Sequence, residues 1–512
     1  MNWAAWAAVA CMVGAAQAYN LDDDGVGASQ RVVAAPEVER ILPQFDAYVR
    51  DILRRSGVPG IAIGIVADGR TVLARGYGVA DIREGKPVTA DTLFPLASVS
   101  KALAGASVAA LVGEGKLDWD DKVAALARDI RFYDPYVTAE MTVRDLLAQR
   151  TGYAPFYGDE LEEVFGYGRA EIFRRLRYLP PATAFRARYA YSNWNITLAG
   201  EIAAQAAGMH WEELVRRKII GPLGMRRTVV SREAYLAAPD RAAAHEVADG
   251  RARAVAFNSR DAQAPAGGVA STVNDMLAWL SFEIDGGRWQ GRQVVAEAPL
   301  RETQNAQTIV NGAFPALHYG LGLEVRDDHG RKELAHNGAF EEGINTRIAF
   351  MPNERLGIVI LTNGGPMGIP DALEYKLQAL LFRDRPDQDM WPSLHEKWRH
   401  AMQGLLDRPG RLHGLPPGGA HPIAPATRYT GRYTHPYYGD IVIETAGADL
   451  QLRAGHAPPR ALQRWQDDTF RVPALQDMAV TFLPDGGGAS RALTLSPLED
   501  IPQAVFTRSD LP

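Results

Sequence analysis

The stretch GIAIGIVADGRTVLARGYGVA (Gly60–Ala80) decides the fold. Two apolar runs flank Ala67-Asp68-Gly69-Arg70, and an Asp-Gly pair between such runs is a hairpin signal. Toward the C-terminus the pattern turns helical, from Ser98 to about Ala127. MTVRDLLAQRTGY predicts a helix that starts at Thr142 and ends near Gly152. Helical spacing continues through NITLAGEIAAQAAG and HWEELVRRKIIGPLG. Strand-like runs return only at HYGLGLEVRD, RKELAHNGAF, NTRIAFMP and RLGIVILTNG, before a helix near Asp371–Phe382. One sheet therefore takes strands from both ends of a domain and helices from its middle. The expected class is α/β (α+β), with an antiparallel sheet and a helical insert.

The ends of the chain read differently. Residues 1–18 form an apolar run ending in Ala16-Gln17-Ala18, the small-x-small pattern of a signal-peptide cleavage site. Export to the periplasm or the medium is expected, with a mature chain from Tyr19. A lipoprotein reading at Cys11 is weaker, because Ala8 stands where a leucine is usual. Cys11 is the only cysteine, so a mature chain has none, as suits an oxidising compartment where no disulfide is used. Residues 19–400 read as the main domain and 401–428 as a linker, densest in proline and glycine over Asp407–Arg428. Residues 429–512 alternate in short strands, as a small all-β barrel or sandwich does.

At 512 residues the chain exceeds one ordinary core. With 46% apolar and 23% charged residues it is globular, and a net charge of −6 without a basic block excludes a nucleic-acid footprint. No integral membrane segment is expected once the leader is removed, and oligomeric state is not legible.

Chemistry enters with FPLASVSKALAG (Phe94–Gly105), where Lys101 follows Ser98 by three residues in small, apolar surroundings. Residues i and i+3 share a helix face. A serine hydroxyl needs an adjacent base, and a lysine serves only where burial lowers its pKa. The plain alternative is a Ser98 helix cap with Lys101 reaching solvent. Two more segments carry candidate groups. Tyr191-Ser192-Asn193 precedes a helix, offering a phenol and an amide, or else an Asx turn with Tyr191 as packing. His336-Asn337-Gly338-Ala339 ends a strand, where glycine lets a substrate backbone approach and the Ala339 N–H suits an oxyanion, or else His336 faces solvent and Gly338 marks a bulge. No Gly-x-Ser-x-Gly elbow is present (Gly105 to Ala109 fails at its last position), nor a metal-ligand motif, and no cofactor is expected.

In this order and spacing the three segments resemble the penicillin-recognising serine hydrolases, in the branch holding class C β-lactamases, D-alanyl-D-alanine carboxypeptidases, D-aminopeptidases and some carboxylesterases. The likeness spans about residues 38–382, including PAGGVASTVNDMLAWL and IAFMPNERLGIVILTNGG. The β tail resembles the small C-terminal domain of some members. The resemblance implies a β-lactamase/transpeptidase-like fold with Ser98 as nucleophile, Lys101 and Tyr191 as proton-transfer groups, and Asn193, His336, Gly338 and Ala339 at the substrate. It leaves open which of Lys101 and Tyr191 takes the first proton. Histidine at 336, where lysine is frequent, implies weaker reading of a substrate carboxylate near neutrality. The expected function is an exported serine hydrolase acting on small peptides, some with D-residues. Carboxylesterase, weak β-lactamase and a non-turnover penicillin-binding sensor are the alternatives. If imidazole reads the anion, carboxylate substrates gain below about pH 6.5; if not, Arg347 is the next candidate.

Overall fold

The computed structural model describes residues 31–509, apart from 258–260, 312–315, 329, 384–385, 407–409, 413, 415, 417–423, 485–488, 497 and 499–503. The expected leader, with Cys11 and the expected cleavage site, lies outside the described residues.

Helix α1 (Ala35–Ser56) leads into β1 (Gly60–Ala67) and β2 (Arg70–Asp81), the expected hairpin, followed by the short β3 (Lys86–Pro87). A single 3₁₀ turn, Ala97–Val99, opens α2 (Ser100–Gly113). The helical insert includes α3 (Asp159–Glu163), α4 (Asn193–Ala206) and α5 (Val273–Ile284). Strands then resume as β4 (Thr308–Asn311), β5 (Leu317–Tyr319), β6 (Glu324–Asp328), β7 (Arg331–Phe340), β8 (Ile344–Met351) and β9 (Leu356–Thr362). They form a nine-stranded antiparallel sheet in the order β4-β5-β6-β7-β8-β9-β1-β2-β3.

The first hairpin thus docks beside the last strand, with Ile63 opposite Ile360. Both faces of the centre are apolar, which explains why β1, β8 and β9 are buried along their whole length. Successive residues face opposite sides. Ile61, Ile63, Ile65, Ile358 and Ile360 pack under α1 and α6 (Ile369–Phe382), whereas Ala62, Val66, Val359 and Leu361 meet the helical insert. The expected helix at Thr142 does begin there, with the Thr142 hydroxyl capping the Asp145 N–H. It stops at Leu147 and not at Gly152, because Gln149 turns to φ 58° and Arg150 folds back onto Asp145.

Helix α7 (Trp391–Leu406) runs six residues into the expected linker, since Trp391, Leu394, Trp398 and Ala401 give it a buried face. The tail is a closed eight-stranded barrel: β10 (Gly431–His435), β11 (Gly439–Ala446), β12 (Asp449–Ala454), β13 (Arg460–Gln466), β14 (Thr469–Val472), β15 (Met478–Pro484), β16 (Ser490–Ser496) and β17 (Val505–Arg508). Pairing of β10 with β17 closes it. No helix among the described residues is long and apolar enough to cross a membrane.

Candidate active site

The turn before α2 is bent by Ala97, which holds φ 48° without being glycine. Such a conformation costs roughly 1–3 kcal/mol and persists only where neighbours enforce it. Here they do. The Leu96 N–H donates to Val269 O (2.8 Å), the Val269 N–H to Ser100 Oγ (3.1 Å), and the Thr346 hydroxyl to Leu96 O (2.7 Å). Gly338 on β7 closes the cradle. A Cβ there would sit 2.2 Å from Leu96 O and 3.2 Å from the Ala97 Cβ, so only glycine lets the strand lie this close. That contact sets the next residue, the half-buried Ala339, alongside the Ser98 turn.

Lys101, one turn along α2, is fully buried. Its Nζ lies 2.9 Å from Ser98 Oγ and donates to Asn193 Oδ1 (2.7 Å) and Ala266 O (3.0 Å). Burial drops its pKa to about 7, against a smaller upward pull from Asp159. Two of its three neighbours only accept hydrogen bonds. A neutral amine satisfies both with its two N–H groups and turns its lone pair to Ser98. The Tyr191 hydroxyl donates to Ser98 Oγ at 2.6 Å. Burial raises the Tyr191 pKa, so the phenol keeps its proton near neutrality. One proton order satisfies every atom: Tyr191 donates to Ser98, and Ser98 donates to Lys101.

Local sequence explains how Tyr191 and Asn193 arrive. Ser192, not Asn193, caps α4, its hydroxyl accepting from the Asn195 N–H. That leaves the Asn193 amide free for the site. The buried Gln149 side chain brackets the segment, donating to Ser192 O and accepting from the Ser192 N–H. Asp159, which sequence reading did not single out, accepts from Asn193 Nδ2 (2.9 Å) and from Gln263 Nε2 (3.2 Å). Because Nδ2 must face the acid, Oδ1 must face Lys101. An aspartate in an acidic run at a helix start reads in sequence as a dipole partner, and nothing there marks it otherwise.

His336 is placed differently from the expectation. It is fully enclosed, with Nδ1 2.6 Å from Asn337 O and Nε2 3.0 Å from the Tyr319 hydroxyl. The carbonyl accepts only, so Nδ1 carries the proton and Nε2 accepts from Tyr319. Burial first, then the nearby charges of Lys101 and Arg347, push its pKa down to about 3. The imidazole therefore stays neutral at pH 6.5, which overturns the expected gain for carboxylates. Arg347 is not available either. It is fully buried, pairs in register with Asn337, and binds Asn337 Oδ1 (2.8 Å) and Glu374 on α6, on the face of the sheet away from Ser98. Among the described residues no group of three or more histidine, cysteine or acidic side chains is set to hold a metal ion.

Comparison with known proteins agrees with this architecture. A family model described as Beta-lactamase matches residues 45–381, and one described as Domain of unknown function (DUF3471) matches 415–508. The unguisins hydrolase of Aspergillus violaceofuscus is 26% identical over 454 residues, covering 80% of this chain and 78% of that protein. The D-aminopeptidase of Brucella anthropi is 28% identical over 331 residues, 63% of this chain and 59% of its own length. In fold, the octameric penicillin-binding protein homologue from Pyrococcus abyssi superposes with a TM-score of 0.59 at 21% identity, over 91% of this chain and all of that one.

Proposed function

The chain belongs to the beta-lactamase family of serine hydrolases, and from that premise we propose that it hydrolyses amide bonds of small peptides through an acyl-enzyme on Ser98. The observation that carries this reading is the hydrogen-bond line from Tyr191 through Ser98 to a buried Lys101. Ser98 Oγ attacks the carbonyl carbon, and its proton passes to the neutral amine of Lys101. Negative charge gathers on the carbonyl oxygen, beside the N–H groups of Ser98 and Ala339. As the C–N bond breaks, the leaving amine takes the Tyr191 proton, and Lys101 restores it. Water then attacks the ester carbon, Ser98 Oγ regains a proton, and the acid product leaves. Lys101 takes the first proton in this scheme, because the phenol is held protonated by burial while the amine is not.

The relatives named D-aminopeptidase favour peptides, including those with D-residues, over other acyl donors. Neutral His336 favours substrates without a carboxylate at the third segment. Turnover of D- and L-aminoacyl anilides, a chromogenic ester and a cephalosporin tests the assignment. The expected order is D-aminoacyl amide first and cephalosporin last. Faster ester cleavage with no amide cleavage would make the protein an esterase, and a lasting Ser98 adduct without product would make it a sensor. Export belongs to the same proposal, supported by Ala16-Gln17-Ala18. N-terminal sequencing of secreted protein should begin at Tyr19, and a start at lipid-modified Cys11 would overturn that.

A further inference from the structure

The barrel grips the helical insert next to the active site. Phe165, just after α3, stacks on Tyr438 and Phe506 with ring centroids 5.7 and 6.1 Å away. Its carbonyl accepts from the N–H groups of His456 (2.8 Å) and Ala457 (3.1 Å), and Arg460 donates to Val164 O (2.7 Å). The fit is close. A Cβ on Gly439, which also holds φ 84°, would sit 2.2 Å from the Tyr167 hydroxyl oxygen. At the centre of this contact is one polar pair: the buried Tyr437 hydroxyl, from the turn between β10 and β11, donates to Glu160 Oε1 at 2.9 Å. Arg175 in turn holds Tyr437 O (3.0 Å), so the tyrosine is anchored at both ends.

Glu160 follows Asp159, and both sit in the first turn of α3. Asp159 reaches the other way, to Asn193 and Gln263, and Asn193 reaches Lys101. We infer that the barrel is a working part of the active site: Tyr437 fixes α3 through Glu160, Asp159 on α3 then fixes the Asn193 amide, and Asn193 so held orients Lys101 toward Ser98. A five-residue helix has little stability of its own, so its position is set by what clamps it. Here the clamp is the barrel on one side and the catalytic segment on the other. Tyr437, Glu160 and Asp159 are positioning residues and touch no substrate. The inference rests on Lys101 acting as the base for Ser98.

The test reads the rate at which a fluorophosphonate probe phosphonylates Ser98, with fluoride leaving, in the full-length protein, beside kcat and KM on a chromogenic ester. Tyr437→Phe and Glu160→Ala should each slow labelling and kcat about tenfold, as loss of one hydrogen bond does, with KM within about twofold. Glu160→Gln keeps an acceptor for Tyr437 and should retain at least about half the rate. Asp159→Ala should cost more, and adding Tyr437→Phe to it should cost nothing further, because the two act in one line. Unchanged labelling in Tyr437→Phe, or losses that multiply in the double variant, would overturn the inference. So would equal defects in Glu160→Ala and Glu160→Gln, or a rise in KM matching the fall in kcat. Should Tyr437→Phe not fold, the two Glu160 variants carry the same comparison. An unlabelled wild type would instead defeat the nucleophile assignment itself, and this inference with it.

Discussion

At the scale of single residues, the proposed mechanism needs Lys101 neutral in the state that reacts. Burial lowers its pKa to about 7, which sets the sign of the expected pH dependence. Above that value the lone pair faces Ser98, and below it the ammonium cannot take the serine proton. The ratio kcat/KM should fall about tenfold per pH unit on the acid side of a limb near 7, and level off above it. Lys101→Arg, which keeps charge but does not lose a proton, should be as inactive as Lys101→Ala. The same profiles read His336. With its pKa pushed down to about 3, the preference for a carboxylate substrate over a neutral one should stay flat from about pH 5.5 to about pH 8. A preference that climbs as pH falls would show that the imidazole is more open than its enclosure by Tyr319 allows. The structure brings Ser98, Lys101, Tyr191 and Asn193 together, four positions that the sequence singled out through three motifs taken jointly and through family resemblance, since each segment alone left a plain alternative. Sequence did not mark Asp159 or Gln263, whose value comes only from meeting Asn193 across the fold.

At the scale of elements, the site depends on strand β7 lying hard against the turn that carries Ser98. Gly338→Ala tests this directly. The added carbon meets the Leu96 carbonyl, which is backbone and cannot swing aside, so the strand or the turn must move. A displacement of about 1 Å at reacting groups costs about a hundredfold in rate, so kcat/KM should drop on that order. Stability should fall by about 1–3 kcal/mol, as overpacking does, measured by thermal unfolding. Wild-type kinetics in Gly338→Ala would mean that the turn is held by Val269 and Thr346 alone. The sequence marked the glycine as a place for a substrate backbone to approach, whereas the space beside its Cα is taken by the chain's own Leu96 carbonyl and Thr346 hydroxyl. Helix ends were less legible still. The stop at Leu147 is set by Gln149, which Ser192 holds from 43 residues away, and by Arg150, which folds back onto Asp145 of the same helix, and not by propensity.

At the scale of the whole molecule, the sheet is built from strands separated by more than two hundred residues, yet its composition announced it. Val, Ile and Leu recur on both sides of β1 and β9, as they must in a sheet covered on both faces. Alternation in the tail likewise revealed strands, but barrel and sandwich differ only in whether the first strand pairs with the last. That pairing, Tyr433 with Arg508 and Thr434 with Thr507, leaves no local mark. The barrel's grip on α3 was equally hidden, because Phe165 and Tyr437 read as ordinary core aromatics. All these layers bear on one proposed covalent event. The most direct measurement is mass spectrometry of the protein quenched in acid during turnover of a slow ester, or after a fluorophosphonate, with peptide mapping of the adduct. Catalysis through Ser98 predicts one acyl group from the ester, or one phosphonyl group from the fluorophosphonate, on the peptide containing Ser98, and neither adduct nor turnover in Ser98→Ala. An adduct on another residue, or hydrolysis that survives Ser98→Ala at more than about a hundredth of the wild-type rate, would contradict it.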